Sequence, residues 1–203
     1  MKLYYAPSAC SMSSHIILNE IGKKFEIESV DLGAKKTKSG KDFMKINPKG
    51  YVPALEVKKG EVLTECAVIA QYLADKAKAT KILPKAGTMA RYRTIEMLNF
   101  ISSEVHKSIG ALFNKAMPEE SRKQTMERVT KRLDVVNTML AKNKFIMGKS
   151  FSVADAYLFT CLNWGQWVGV DMKKWKNIAG YLERMATRPS VMKTMAAEAA
   201  AAA

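Results

Sequence analysis

Along the first 77 residues the hydrophobic pattern changes period several times. Lys2-Leu3-Tyr4-Tyr5-Ala6 is a short apolar run closed by Pro7-Ser8-Ala9, and reads as a strand and a turn. Residues 11–21, with His15, Ile16, Ile17 and Leu18 in the interior, read as a helix. Phe25 to Val30 sets Phe25, Ile27 and Ser29 against Glu26, Glu28 and Val30, the alternation of a second strand. Asp31 to Gly40 is a lysine-rich polar loop, Lys41 to Ile46 a short helix, and Asn47-Pro48-Lys49-Gly50 a turn. Val52-Pro53-Ala54-Leu55-Glu56-Val57 is a strand opened by a proline, which Lys58-Lys59-Gly60-Glu61 folds back onto Val62-Leu63 as a hairpin. A helix then starts at Thr64 or Glu65 and runs to about Lys76. The order is β-α-β-α-β-β-α. Its leading strand–helix–strand unit requires a parallel pair with a right-handed crossover.

Periodicity is lost over residues 78–87, which hold Pro84 and Gly87, and a linker is expected there. Beyond it every pattern is helical. Ile95, Leu98, Ile101, Val105, Ile109 and Leu112 recur at threes and fours, one stripe on a long helix. Met126, Val129, Leu133, Val136 and Leu140 form a second stripe. Ser152-Val153-Ala154-Asp155 is a capping box. The helix after it is apolar on nearly every side, so it should lie at the centre of a helical domain. Ile178, Leu182 and Met185 mark a further helix, ended by Arg188-Pro189. The alanine-rich tail from Met195 to Ala203 reads as a frayed helix or a partly artificial extension. The expected organisation is a sheet domain over 1–77, a linker over 78–87 and an all-helical domain over 88–203.

Composition narrows the class. The 203 residues are 48% hydrophobic and 26% charged, as in a soluble globular protein. No apolar run approaches the ~20 residues of a membrane helix, and no secretory signal is visible. Three cysteines do not make a disulfide framework and fit a reducing cytoplasm. The net charge of +14 is uneven, +4 over residues 1–80 and +10 beyond. The lysines are dispersed, with no zinc spacing and no nucleic-acid-binding aromatic strand. A solvated basic surface that favours an anionic small substrate is therefore expected, rather than nucleic-acid binding.

Four places could carry chemistry. Cys10 stands between the first strand and the first helix, where unpaired N–H groups and the dipole favour a thiolate. Cys10-Ser11-Met12-Ser13 is a C-x-x-S, able to form a mixed disulfide with a small thiol but not an internal one at that spacing. The alternative is a structural cysteine. Val52-Pro53, if cis, would present the Val52 backbone to a peptide-like ligand as an added strand; an ordinary trans edge proline is the alternative. Thr64-Glu65-Cys66 opens a helix whose N–H groups suit a carboxylate while Glu65 suits an ammonium, or it is a plain cap. Asn99, Ser103 and His106, at i, i+4 and i+7, make a polar stripe that either lines a cleft or is simply solvated.

Taken in order, these motifs identify a resemblance to the cytosolic glutathione S-transferases, most nearly the bacterial beta class. It spans essentially the whole chain. The residues that carry it are Tyr4-Tyr5-x-Pro7-x-Ala9-Cys10-Ser11, Asn47-Pro48-Lys49-Gly50-x-Val52-Pro53-Ala54-Leu55, and Leu63-Thr64-Glu65 with Ile69-x-Gln71-Tyr72-Leu73-Ala74-Asp75. Further along are Arg91-Tyr92, Glu104-x-His106-Lys107 and Ser152-x-Ala154-Asp155-Ala156-Tyr157.

The resemblance implies a thioredoxin-like N-terminal domain, an all-α C-terminal domain and a cytoplasmic homodimer. It implies an enzyme that conjugates glutathione, as substrate, to small hydrophobic electrophiles, with thiol–disulfide exchange through Cys10. No cofactor, metal, nucleic acid or membrane is implied. Cys10 would contact or covalently hold the glutathione sulfur, flanked by Tyr5 and Ser11 with His106 near it. Val52 would pair with the cysteinyl backbone, Glu65 and Cys66 would hold the γ-glutamyl end, and Lys35 would reach the glycine carboxylate. Asn99, Ser103, Glu104 and His106 would complete the site, partly from a partner subunit. A protein that sequesters glutathione and apolar ligands without turnover is the competing reading. One departure stands out: position 66, glycine or serine in the pattern, is cysteine.

Overall fold

The computed structural model describes residues 1–202, and the chain divides into two compact units. The first comprises Met1–Ala79 together with the stretch from Arg188 onward. Its elements are β1 (Lys2–Tyr5), α1 (Met12–Ile21), β2 (Glu26–Asp31), β3 (Lys36–Thr37), β4 (Ala54–Lys58), β5 (Glu61–Thr64) and α2 (Cys66–Lys76). They form one mixed sheet of order β3-β2-β1-β4-β5. β1 and β2 are parallel, in the register Leu3↔Ile27, as the strand–helix–strand reading requires. The hairpin β4–β5 is antiparallel and pairs with β1 through Leu3↔Leu55.

Alternation along β1 sends Tyr4 and Tyr5 to opposite faces. Tyr4 joins Ala6, Val30, Phe43, Val52 and Ala54 in one buried cluster. On the other face α1 packs against α2 and buries every residue from Met12 to Leu18.

Two local expectations need correction. The loop over 31–40 contains β3, which pairs antiparallel with β2 through Val30↔Thr37. Its lysines conceal a strand of two residues, held by Lys38 N–H to Ser29 O (2.8 Å) and by the Ser39 hydroxyl to Glu28. The short helix over 41–46 is one 3₁₀ turn, Phe43–Lys45, capped by Asp42.

The tail is the larger surprise. Pro189–Ala202 forms a helix, α9, which belongs with the sheet and packs on α1. It is pinned by named side chains rather than by alanine. The Arg188 guanidinium and the Ser190 hydroxyl both bond Glu20 on α1. Glu198 is buried against His15, with Nδ1···Oε1 at 3.0 Å.

The second unit, Thr80–Thr187, is helical. It holds α3 (Met89–Phe100), a π-helical segment (Ile101–His106), α4 (Lys107–Ala111), α5 (Glu119–Leu140), α6 (Val153–Asn163), α7 (Gly165–Val168) and α8 (Lys176–Ala186). The long helix read from Ile95 to Leu112 is thus one path interrupted by a π segment. Its stripe of Leu98, Ile101, Val105, Ile109 and Leu112 is buried. α6 is buried from Val153 to Leu162 and forms the centre of the unit.

The capping box at the start of α6 is closed on both sides. The Asp155 carboxylate accepts from Ile146 N–H (2.7 Å), Ser152 N–H (2.8 Å) and the Ser152 hydroxyl (2.7 Å). Tyr181 of α8 adds its hydroxyl at 3.3 Å. On α8 the buried positions are Ile178, Tyr181 and Met185.

Candidate functional site

Cys10 sits in a tight turn between β1 and α1, wound by Ala9 N–H to Ala6 O (3.1 Å) and Met12 N–H to Ala9 O (3.0 Å). The Ser11 hydroxyl staples this turn, bonding both Ala6 N–H and Ala6 O at 3.2 Å. Ser13, the serine of the C-x-x-S, donates to the Cys10 carbonyl at 2.7 Å. The half-buried Cys10 sulfur faces the next loop, with Sγ 3.0 Å from Val52 O.

Cys66, the first residue of α2, arrives from a third direction, with Sγ 3.5 Å from the Cys10 carbonyl oxygen. A hydrogen bond from the Cys66 thiol lowers the Cys10 pKa from its ordinary value. The Cys10 and Ser11 N–H groups act the same way, while burial and the Glu65 carboxylate oppose them. The N–H groups expected at the helix start thus act on the thiol together with Cys66, 56 residues further along the chain.

The loop opposite is built on Asn47. Its buried side chain donates to Tyr51 O (2.7 Å) and accepts from Lys49 N–H (3.2 Å). The Val52–Pro53 bond that follows is cis. Lys35 points into this loop, with Nζ 2.9 Å from Gly50 O and 5.6 Å from the centre of the Tyr51 ring.

At the head of α2, Glu65 adopts φ 72° and ψ 121° and makes no side-chain cap. Non-glycine residues avoid this region, and such strain gathers at ligand-binding positions. The Glu65 carboxylate meets Lys49 Nζ at 2.7 Å in an exposed ion pair, and Lys49 also reaches the Thr64 hydroxyl at 3.0 Å. Lys49 is a polar neighbour that a reading of its turn motif alone does not reveal.

Tyr5, expected to flank Cys10, has its described ring contact on the α1 side of the sheet. The pleat turns it to the face opposite Tyr4, where its ring packs on His15 with centroids 5.9 Å apart. Burial and the Glu198 carboxylate raise its phenol pKa. Ser11 likewise contributes to the thiol through its N–H, its hydroxyl being engaged with Ala6.

The remaining candidates lie in the helical unit, where Ser103, Glu104 and His106 all fall in the π segment and Asn99 just before it. π segments recur at functional positions. Widening the helix breaks the stripe expected from i, i+4 and i+7. Ser103 donates to Asn99 O (3.0 Å), and Glu104 pairs with Arg132 of α5. His106 turns inward, with Nδ1 2.6 Å from the Tyr157 hydroxyl and its ring edge-on to Trp164 at 4.9 Å. The contacts described for His106 are with Tyr157 and Trp164 of this unit.

Chemically, the sheet unit offers a polarised thiol, a backbone carbonyl beside a cis proline, and a helix start with an adjacent carboxylate. That set suits a small thiol peptide. Among the described residues no group of three or more His, Cys, Asp or Glu is arranged to hold a metal, and no helix is long and apolar enough to cross a membrane.

A thioredoxin-like sheet domain with this thiol and cis proline, followed by a helical domain, defines a class of glutathione-handling proteins. Comparison with known proteins agrees. Residues 1–75 match the family described as glutathione S-transferase, N-terminal domain, and residues 100–189 its C-terminal domain. The chain is 43% identical to glutathione S-transferase GstA of Escherichia coli O157:H7, over 98% of both chains. It superposes on the bacterial beta class glutathione S-transferase of Sphingomonas chungbukensis with a TM-score of 0.93, at 40% identity over 98% of each chain. A sphingomonad glutathione S-transferase complexed with glutathione gives a TM-score of 0.94 at 40% identity, over 98% of this chain and 99% of that one. The chain belongs to the glutathione S-transferase family.

Proposed function

We propose that this transferase is of the beta class, binds reduced glutathione across its sheet unit with the sulfur at Cys10, and joins it to small hydrophobic electrophiles. The observation that carries the reading is the convergence of Cys10, Val52 and the α2 start on one spot, seen in Cys10 Sγ to Val52 O and Cys66 Sγ to Cys10 O. Conjugation needs the glutathione sulfur as a thiolate, which attacks the electrophile's carbon and displaces its leaving group. The donors that depress the Cys10 pKa suit any sulfur placed among them. Cys10 can itself act as nucleophile toward a disulfide, giving thiol–disulfide exchange beside conjugation.

Around that sulfur the peptide has complementary neighbours. Val52 takes the cysteinyl backbone as an added strand. N–H groups at the start of α2, with Glu65 and Cys66, take the γ-glutamyl carboxylate and ammonium. Lys35 stands over the loop as the cation for the glycine carboxylate. Asn99, Ser103, Glu104 and His106 are assigned to the glutathione site by family resemblance, with part of the set supplied across a homodimer. We place the protein in the cytoplasm on the same grounds, in keeping with three cysteines of which none is in a disulfide.

The test is steady-state conjugation with a generic chloronitroaromatic electrophile, alongside calorimetric titration of glutathione. Saturable turnover together with glutathione binding is expected. Binding without turnover would replace the enzyme reading with that of a sequestering protein.

A further inference from the structure

Beyond the place of its backbone at the γ-glutamyl end, Cys66 brings a second sulfur to the turn that carries the reactive thiol. It opens α2, directly after the strained backbone of Glu65. Its sulfur lies 3.5 Å from the carbonyl oxygen of Cys10, on the same residue that carries the reactive thiol, and its side chain lowers the Cys10 pKa. The position where a C-x-x-C motif would place its second cysteine is held by Ser13, whose hydroxyl is turned onto the Cys10 carbonyl. A second thiol is therefore present at Cys10, delivered from another element. The third cysteine, Cys161, is fully buried in α6 of the helical unit.

We propose that Cys66 is the resolving thiol of Cys10, so that the two form a dithiol centre that exchanges with glutathione disulfide. The steps balance without an outside reagent. The Cys10 thiolate attacks one sulfur of glutathione disulfide; the Cys10–glutathione S–S bond forms, the original S–S bond breaks, and one glutathione thiolate leaves. Cys66 then gives up its proton and attacks the Cys10 sulfur. The Cys10–Cys66 bond forms, and the second glutathione leaves as a thiolate that takes up a proton. Glutathione disulfide is reduced to two thiols and the protein dithiol is oxidised by the same two electrons. Reduced glutathione in excess drives both steps backward. Closing the bridge also draws Cys66 away from the helix start proposed for the γ-glutamyl end, so the oxidised protein should bind glutathione more weakly. The inference rests on Cys10 being the exchanging thiol, and the test separates the two.

The full-length reduced protein is treated with glutathione disulfide, quenched in acid and weighed intact without reductant, then mapped by non-reducing digestion. Wild type should pass through a transient glutathionyl adduct to a form lighter by two hydrogens, with the bridge mapping to Cys10 and Cys66. Cys66→Ser and Cys66→Ala should both stop at the adduct, which persists at least about tenfold longer than in wild type. An adduct equally stable in wild type and both variants would overturn the resolving role while leaving Cys10 as the exchanging thiol. Neither adduct nor bridge in wild type would overturn both. A bridge that includes Cys161, or an adduct on Cys66 in Cys10→Ala, would also overturn the assignment.

Discussion

Glu65 is a residue at which local stability and binding oppose one another. Its φ of 72° and ψ of 121° cost a side-chain-bearing residue on the order of 1–3 kcal/mol, and no cap compensates. The nearest polar partner is Lys49 at 2.7 Å, in a pair so exposed that it stabilises the fold by at most ~1 kcal/mol. Replacing Glu65 with glycine should therefore leave the melting temperature unchanged or raise it, while glutathione affinity falls. Glu65→Gln keeps the backbone and removes only the charge facing the ligand's ammonium. The loss of one charge-assisted hydrogen bond, ~1.5–3 kcal/mol, corresponds to roughly 10- to 150-fold weaker binding. Calorimetric titration of wild type and both variants checks this; equal affinities would remove Glu65 from the site. The lysine of Asn47-Pro48-Lys49-Gly50 is plain in the sequence, but a turn motif says nothing about which carboxylate its side chain will meet.

Among the elements, those with a strong period were legible and those defined by a few hydrogen bonds were not. β1, α1, the β4–β5 hairpin, α5 and α6 follow from alternation or stripes, because burial of one face imposes that pattern. β3 is two residues long and set by Ser39 and Glu28, too short for any period to register. The π segment keeps its apolar stripe buried while turning His106 onto Tyr157, so the spacing that marks a helix also concealed where its polar residues point. The α6 cap was legible to the residue, and its environment makes it sensitive to pH. Burial raises the Asp155 pKa from 3.8 to about 6, despite the Ile146, Ser152 and Tyr181 donors that pull it down. Between those values the folded state binds the extra proton. The acid's contribution is thus fully present below about pH 3.8 and lost as pH rises through about 6. Asparagine at this position does not titrate. The stability of wild type relative to Asp155→Asn should accordingly fall by roughly 2.4 kcal/mol between pH 4 and 7, measured by denaturant unfolding at each pH. A gap independent of pH would mean that the donors hold the carboxylate at its ordinary value. Asp155→Ala leaves the Ile146 and Ser152 donors without their acceptor in the core, and should cost on the order of 2–4 kcal/mol at pH 4, a cost that shrinks toward pH 7 as it does for Asp155→Asn.

For the molecule as a whole, the chain's last helix completes its first domain. The alanine run reads as a fraying end because composition shows no face that needs covering. Besides the bonds of Arg188 and Ser190 to Glu20, what ties it down is one carboxylate within the alanine run, Glu198, which no periodicity distinguishes. It is 2% exposed and accepts from Ser8 N–H at 2.8 Å and bonds His15 Nδ1 at 3.0 Å. Those contacts span 190 and 183 residues, so the end of the chain fixes the loop that leads into Cys10. Glu198→Ala should remove both acceptors at once and strand a buried imidazole. At ~1–3 kcal/mol for each buried group left unsatisfied, thermal unfolding should fall by several degrees at the least, since ~1 kcal/mol shifts a domain of this size by about 2–4 °C. Glu198→Gln retains one carbonyl oxygen and should recover part of that loss. Loosening Ser8 should also reach the thiol: alkylation of Cys10 by iodoacetamide, followed by peptide mass spectrometry below the melting transition, should change in rate for Glu198→Ala and less for Glu198→Gln. If Glu198→Ala melts with wild type and its Cys10 is alkylated at the wild-type rate, the last helix is a passive cover, and the reactive turn is held by its other bonds, those of Ala6, Ser11 and Ser13 among them.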